Sequence, residues 1–430
     1  MTRRLRIGIA GLGTVGAGTL RLLRANAEIL ERRTGTRLVA TAVSARDPDR
    51  DRGVDLGGLR WHADAAALAE DPEVDLVCEL IGGSDGPALT LVERALRLGK
   101  PVVTANKAML ALHGADLARL AEAAGVALGY EAAVAGGIPI IKSLRQGLAA
   151  NRIARVSGIL NGTCNFILTT MRETGREFAD VLAEAQALGY AEADPSFDVD
   201  GIDAAHKLAL LAALAFGGRP RFDAIEIEGI RHVSAIDIAF AEQLGYRIKL
   251  LGVACLTPAG LEQRMGPCMV PAHTPIAQVD GVFNGVVVEG DQVGSVLHEG
   301  RGAGAGPTAS AVVADIIDVA RGLKLPTFGV PAATLADHPI APISAHEGCF
   351  YIRLMVLDQP GVLADISAVL RDHHVSIESL IQRGRNPGQA VPIVLTSHDT
   401  TEAAMRGALA QIATLPSVLE PPRLIRIERS

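Results

Sequence analysis

The chain has 430 residues, 48 acidic against 41 basic, and a formal net charge of −7. Hydrophobic residues make up 49% of it, enough for more than one buried core, so wholesale disorder is excluded. The mild acidity and an aromatic content of 3% exclude a surface built to coat or stack on nucleic acid.

At ~150 residues per domain the length predicts about three domains. The five cysteines, at 78, 164, 255, 268 and 349, are scattered and odd in number, which fits reduced thiols better than a disulfide framework or a zinc cage. The longest apolar run, 208–218, falls well short of the ~20 residues that span a bilayer, so no membrane partner is expected. Arg3, Arg4 and Arg6 precede an apolar run, as in a signal peptide. That run is Gly-rich, alternates like a strand and is cut by Arg21, so the expected location is the cytoplasm.

Residues 5–10 read as a strand, followed by Gly11-Leu12-Gly13-Thr14-Val15-Gly16 and a helical pattern to residue 30. This G-x-G-x-x-G has the strand-before, helix-after setting that a dinucleotide site needs. Gly11 makes the tight turn, Gly13 lets backbone N–H groups approach a pyrophosphate, and Gly16 lets the helix pack on the sheet. Further strands are expected at 38–43, 74–81, 102–105 and 126–130, alternating with helices at 87–98 and 115–124. Continuous apolar strands of this kind belong to a parallel sheet covered on both faces.

The residues after the second strand bear on cofactor choice. Ser44 and Arg46 suit the 2′-phosphate of NADP, while the adjacent Asp47 keeps NAD as the alternative. Lys107, just past the fifth-strand sequence Thr104-Ala105-Asn106, stands where open α/β sheets bind ligands.

After residue 138 the pattern becomes α+β. Strands are expected at 153–160, 224–228, 248–255 and 282–289, and helices at 180–188 and 203–216. Residues 161–165, Asn-Gly-Thr-Cys-Asn, read as a polar loop facing a ligand. The segment 189–207 is dense in chemistry, holding Tyr190, Glu192, Asp198, Asp203 and Lys207. Asp203 and Lys207 are four apart and share a helix face. A lysine opening an apolar helix is partly buried, and burial favours proton exchange with a substrate oxygen. The competing reading is an acidic loop with a surface helical ion pair.

A glycine-rich turn at 302–306 opens a helix from 308 to 322. Residues 326–348, with five prolines, read as a linker. From 349 onward the order βαββαβ predicts a compact ferredoxin-like unit.

Taken together, Gly11–Gly16, 104–107, 131–138, 158–168, 189–207 and 302–309 resemble homoserine dehydrogenase over nearly the whole chain, and 349–430 resembles an ACT domain. The resemblance implies a Rossmann-type NAD(P)-binding domain at 1–133, completed by a helix at 303–322. It implies a substrate-binding and dimerisation domain at 134–302, a linker at 323–348 and an ACT regulatory domain at 349–430. The implied reaction is reversible NAD(P)-dependent interconversion of L-homoserine and L-aspartate 4-semialdehyde, on the way to threonine and methionine. It makes Lys207 the proton-transferring residue, assisted by Lys107. Glu192 would hold the substrate ammonium, with Tyr190, Thr163, Asp198 and Asp203 completing the pocket. Gly11, Gly13, Thr14, Val15, Gly16, Ser44, Arg46, Lys107 and Gly304 would bind the cofactor. Carbonyls of Glu131, Val134, Gly136 and Ile138 would bind a monovalent cation such as Na+. An amino-acid effector, threonine among the candidates, and a homodimer or homotetramer are further expectations. Cys164 stands where the family more often has threonine. Two rival readings are a phosphorylating semialdehyde dehydrogenase with Cys164 as nucleophile, and a non-catalytic sensor of nucleotide and amino acid.

Overall fold

The computed structural model describes residues 3–383 and 388–428, so the outermost residues of the two terminal units lie outside the described part. Six strands, β1 (Arg3–Ala10), β2 (Thr36–Ser44), β3 (Arg60–His62), β4 (Leu76–Glu79), β5 (Val102–Thr104) and β6 (Leu128–Gly129), form a parallel sheet in the order β3-β2-β1-β4-β5-β6. Apolar side chains alternate between its faces. Ile7, Ile9, Leu76 and Cys78 pack with Leu20, Leu23, Val312 and Ile316, whereas Val77 and Val102 pack with Leu91, Val92, Leu110 and Leu117. Helices Thr14–Ala25 and Ala305–Ala320 therefore cover one face, and Pro87–Arg97 and Lys107–Ala123 the other. The expected helix at 115–124 begins eight residues earlier, at Lys107, because Asn106 caps it by accepting from the Met109 N–H at 3.1 Å.

Strand order reverses between β1 and β4, the point where such sheets open a crevice at their carboxyl ends. The returning helix packs very closely there. A Cβ at Gly18 would stand 2.8 Å from the carbonyl oxygen of Ala305.

A second sheet begins with β7 (Ile153–Ile159), the short β8 (Glu226–Ile227), β9 (Tyr246–Thr257), β10 (Gly260–Pro271), β11 (Phe283–Gly290) and β12 (Gly294–Arg301). Helices Gly162–Thr174, Ile202–Phe216 and Ala235–Gln243 pack against it. The helix at Gly162–Thr174 stands where a polar loop is expected. The polar Asn161 is its N-cap, accepting from the Cys164 N–H at 2.9 Å, and the loop reading holds for the cap alone.

The C-terminal unit has the expected order: β13 (Glu347–Leu357), helix Val362–Asp372, β14 (Ile377–Gln382), β15 (Ala390–Ser397), the two-residue β16 (Thr400–Thr401), helix Glu402–Ile412 and β17 (Arg423–Ile427). It has its own core around Phe350, Leu354, Ile366 and Met405. It is not a separate body, however. Strand β17 pairs in parallel with β10 at Cys268↔Arg426 and Met269↔Ile427, so one sheet runs β12-β11-β7-β9-β10-β17-β13-β15-β14 through both units. The segment expected as a linker is largely irregular but tied down, with bridges Gly218↔Ala336 and Leu261↔Ile340 and a buried Phe328. Among the described residues no helix is long and apolar enough to cross a membrane.

Candidate active site

A cleft of about 640 Å³ lies between the two sheets. Its walls include Thr14, Val15 and Lys107 from the nucleotide side, Asp198, Asp203 and Lys207 from the other, and the turn Gly302–Gly304. Each group is delivered by an element end. Lys107 opens the helix after β5, Asp203 and Lys207 lie on the first turns of helix Ile202–Phe216, and Gly162 and Thr163 open the helix after β7.

At the centre is one carboxylate. Asp203 Oδ2 accepts from Lys207 Nζ at 2.6 Å and from Asn161 Nδ2 at 3.0 Å, and Lys107 Nζ stands 3.0 Å from Oδ1. Burial alone would push the Asp203 carboxyl up, but the two ammonium groups and these hydrogen bonds prevail and hold it below the usual carboxylate range. Lys207 Nζ also donates to the carbonyl of Leu160 at 2.8 Å. An ammonium has three donors, so with two engaged the third remains for the cleft that Lys207 lines. The buried location of Lys207 and its carboxylate rules against the bland alternative of a surface helical pair.

Asp198 Oδ1 accepts from Asn161 Nδ2 at 2.8 Å, and burial raises its pKa. Thr163 donates from Oγ1 to the carbonyl of Tyr190 at 2.7 Å, and the Tyr190 ring meets Phe166 edge-on at 4.9 Å. These contacts bring Tyr190, Thr163, Asp198, Asp203, Lys207 and Lys107 into one cleft, as expected.

Glu192 is the exception. After helix Phe178–Ala187, Gly189 and Tyr190 line the cleft and Ala191 is buried, whereas Glu192 lies on an exposed stretch and is not among the residues lining the cleft. Cys164 is buried, and its Sγ donates to the carbonyl of Asp198 at 3.2 Å. Burial, with the nearby Asp198 and Asp203, pushes the thiol well up, the reverse of what a nucleophilic cysteine needs.

The nucleotide end fits a dinucleotide. Helix Thr14–Ala25 has no side-chain cap and no acidic residue in its first turn, leaving its N–H groups to an anion. A Cβ at Gly13 would meet no atom within 4 Å, so a phosphate has room there. A Cβ at Gly11 would fall 2.3 Å from the carbonyl oxygen of Leu80, and one at Gly16 only 1.9 Å from that of Gly11. Gly304 caps helix Ala305–Ala320 and lines the same cleft. Ser44 is buried, its carbonyl accepting from the Gly11 N–H at 2.8 Å, and Arg46 is exposed just past β2.

The loop 131–138 forms one wall. Ala135 and Gly136 are consecutive left-handed residues, with φ of 55° and 49°. The Glu131 carboxylate accepts from the Ile141 and Lys142 N–H groups, each at 2.9 Å. Burial, then repulsion from Asp315, pushes the Glu131 pKa up to about 7. Among the described residues no cluster of three or more His, Cys, Asp or Glu side chains forms a metal site, so a cation at this loop would rely on backbone oxygens.

Asn161 and Asn284 are among the cleft-lining residues that sequence reasoning did not single out. Asn161, which bridges Asp198 and Asp203, stood in a segment noted only as polar. Asn284, on β11, gave no signal at all.

A family model for homoserine dehydrogenase matches residues 139–317, one for its NAD-binding domain matches 11–131, and one for the ACT domain matches 350–416. A homoserine dehydrogenase of Pseudomonas aeruginosa is 48% identical, over 99% of each chain. This chain belongs to the homoserine dehydrogenase family. The crystal structure of a homoserine dehydrogenase from Thiobacillus denitrificans superposes with a TM-score of 0.94 at 47% identity, covering 99% of this chain and 98% of that one. A hyperthermophilic archaeal homoserine dehydrogenase in complex with NADPH gives a TM-score of 0.63 at 27% identity, covering 74% of this chain and 98% of that one. The chain is thus an NAD(P)-dependent oxidoreductase with a C-terminal ACT domain, and its parallel sheet is the nicotinamide-cofactor domain.

Proposed function

We propose that the chain interconverts L-homoserine and L-aspartate 4-semialdehyde, with Lys207 as the proton-transferring residue. The observation that carries this is the buried Lys207–Asp203 pair, whose ammonium has one donor left for the cleft. When bound, the nicotinamide cofactor supplies or accepts the hydride at C4 of the substrate. In reduction, Lys207 Nζ gives a proton to the oxygen that becomes the hydroxyl, and in oxidation it takes that proton back. Asp203 keeps the amine aimed and balances its charge. Lys107 assists at the same oxygen, and Asp198, Thr163 and Tyr190 shape the pocket. Glu192, two residues past the cleft-lining Tyr190, would hold the substrate ammonium.

Gly11, Gly13, Thr14, Val15, Gly16 and Gly304 would hold the cofactor, with Ser44 and Arg46 favouring NADP over NAD. Carbonyls of Glu131, Val134, Gly136 and Ile138 would hold a monovalent cation such as Na+. The left-handed pair Ala135-Gly136 supports this, and the bound charge would stiffen that wall. We assign an amino-acid effector, threonine first, to the ACT domain, self-association as a homodimer or homotetramer, and a cytoplasmic location.

The test is initial rates with aspartate semialdehyde, comparing NADPH and NADH without phosphate or arsenate. Turnover with a preference for NADPH is expected. Tight nucleotide binding without turnover would favour the sensor instead, and a phosphate requirement would revive the phosphorylating rival.

A further inference from the structure

Glu79, the last residue of β4, is fully buried at the carboxyl end of the cofactor sheet and takes no part in the cleft chemistry described above. Its Oε1 accepts from the Ile81 and Gly82 N–H groups at 2.8 and 3.1 Å, and its Oε2 accepts from Thr104 Oγ1 at 2.6 Å. A carboxylate buried among neutral donors costs far more than an apolar side chain in the same place, so it calls for a use. Its contacts close a ring. Thr104 Oγ1 also accepts from the Asn106 N–H at 3.0 Å, and Asn106 Nδ2 donates to the carbonyl of Gly83 at 2.7 Å, back on the loop that Glu79 holds. Thr104 and Asn106 are themselves buried. Asn106 is the cap from which helix Lys107–Ala123 starts, so the ring fixes where the backbone of Lys107 stands.

We propose that Glu79 is a positioning residue for Lys107, setting through Thr104 and Asn106 the point from which the Lys107 ammonium reaches Asp203 and the substrate oxygen. This rests on the assisting role of Lys107 proposed above. Lys107 is the first residue past the cap, and its Nζ stands 3.0 Å from Asp203 Oδ1 across the cleft. A long side chain aims no better than its backbone is held, and misplacing a reacting group by about 1 Å can cost ~10²-fold in rate. Thr104 is the hinge of the ring, because one hydroxyl both donates to Glu79 and accepts from the Asn106 amide. Its hydrogen stays on residue 79 only while that side chain presents an acceptor. Glutamine cannot close the ring in either orientation. Its Nε2 would face the Thr104 oxygen in one and the Ile81 and Gly82 N–H groups in the other.

The experiment measures kcat with aspartate semialdehyde and saturating NADPH, and NADPH affinity by fluorescence titration, in wild type, Glu79→Gln, Lys107→Ala and the double variant. Glu79→Gln is expected to lower kcat about 10-fold or more, with NADPH affinity within about 2-fold of wild type. In the Lys107→Ala background the same substitution should cost less than about 2-fold, because the group it aims is gone. A merely structural glutamate would cost the same factor in both backgrounds. Thr104 gives a second reading should Glu79→Gln not fold. Thr104→Val removes the hydroxyl and should reproduce both the loss and its dependence on Lys107, whereas Thr104→Ser keeps the hydroxyl and should stay within about 2-fold of wild type. Equal losses with and without Lys107, Thr104→Val matching Thr104→Ser in kcat, or a loss of NADPH affinity with kcat unchanged overturns the assignment. A wild-type kcat in Lys107→Ala alone would instead overturn the assisting role on which it rests.

Discussion

Lys107, at the carboxyl end of the cofactor sheet, and Asp203, on the opening turn of the substrate-side helix, form an ion pair of 3.0 Å that joins the two walls of the cleft. Lys207 occupies the other oxygen of the same carboxylate. Replacing Asp203 with Asn leaves the shape but removes the charge that balances two ammonium groups. Asp203→Asn is expected to cut kcat by about 10²-fold or more, and Lys207→Ala to cut it by about 10²- to 10⁴-fold. NADPH affinity, followed by fluorescence titration, should change little in either. A Lys207→Ala enzyme with near-normal kcat would remove the proton-transfer role.

The junction with the ACT domain carries a buried ion network. Glu428 accepts from Arg264 Nη1 at 2.5 Å and from Arg155, and Glu262 accepts from Arg264 Nε at 3.0 Å and faces His346 Nδ1 at 3.0 Å. Burial opposes ionisation of both carboxylates, yet their cationic partners bring each pKa down to about 2. An unfolded glutamate titrates near ~4.3, so this network stabilises the fold fully above that pH and loses its contribution as pH falls toward 2. Thermal melting at pH 7, 5 and 3.5 should show a steep drop only at the acid end. Glu428→Gln should lower the melting temperature at pH 7 and flatten that drop, because the buried Arg264 then keeps only Glu262 as a charge partner.

Two glycines of the cofactor turn make separable predictions. Gly16→Ala would place a methyl 1.9 Å from the carbonyl oxygen of Gly11, so both melting temperature and NADPH binding should fall. Gly13→Ala has open space, so its melting temperature should stay within about 1–2 °C of wild type while NADPH binding weakens. Equal loss of stability in both variants would contradict this division.

Arg46 is exposed beside the buried Ser44. If its guanidinium meets a 2′-phosphate, Arg46→Ala should lower the NADPH-to-NADH ratio of kcat/KM about tenfold or more, mainly through NADPH. An unchanged ratio makes the residue a bystander.

The nucleotide fold was legible in the sequence because its signals are local: apolar strands, a glycine turn, and helices closed by glycine. Strand β10 was not, since Glu262, Gln263 and Arg264 interrupt its apolar pattern. All three are buried: Glu262 and Arg264 meet partners from the C-terminal side, and Gln263 donates from Nε2 to the carbonyl of Arg221. The site followed the same rule. Asp203 and Lys207 share a helix and could be paired from spacing alone, whereas Asn284 reaches the cleft only through the packing of β11 against two distant glycines. Glu192 stands on an exposed stretch two residues past the cleft-lining Tyr190, because a motif gives proximity in sequence while loop packing decides where each side chain stands.

The order of strands in the long sheet has a consequence for biosynthesis. Apart from the two-residue β8, the partner of β10 on its outer side is β17, and the whole C-terminal unit is made between them. During translation the Cys268–Met269 stretch of β10 therefore emerges without its β17 partner, which arrives only with residues 423–427. An open strand edge is a template for wrong pairing. Glu262 and Arg264, a few residues earlier on the same strand, put charge beside that stretch, which disfavours such pairing.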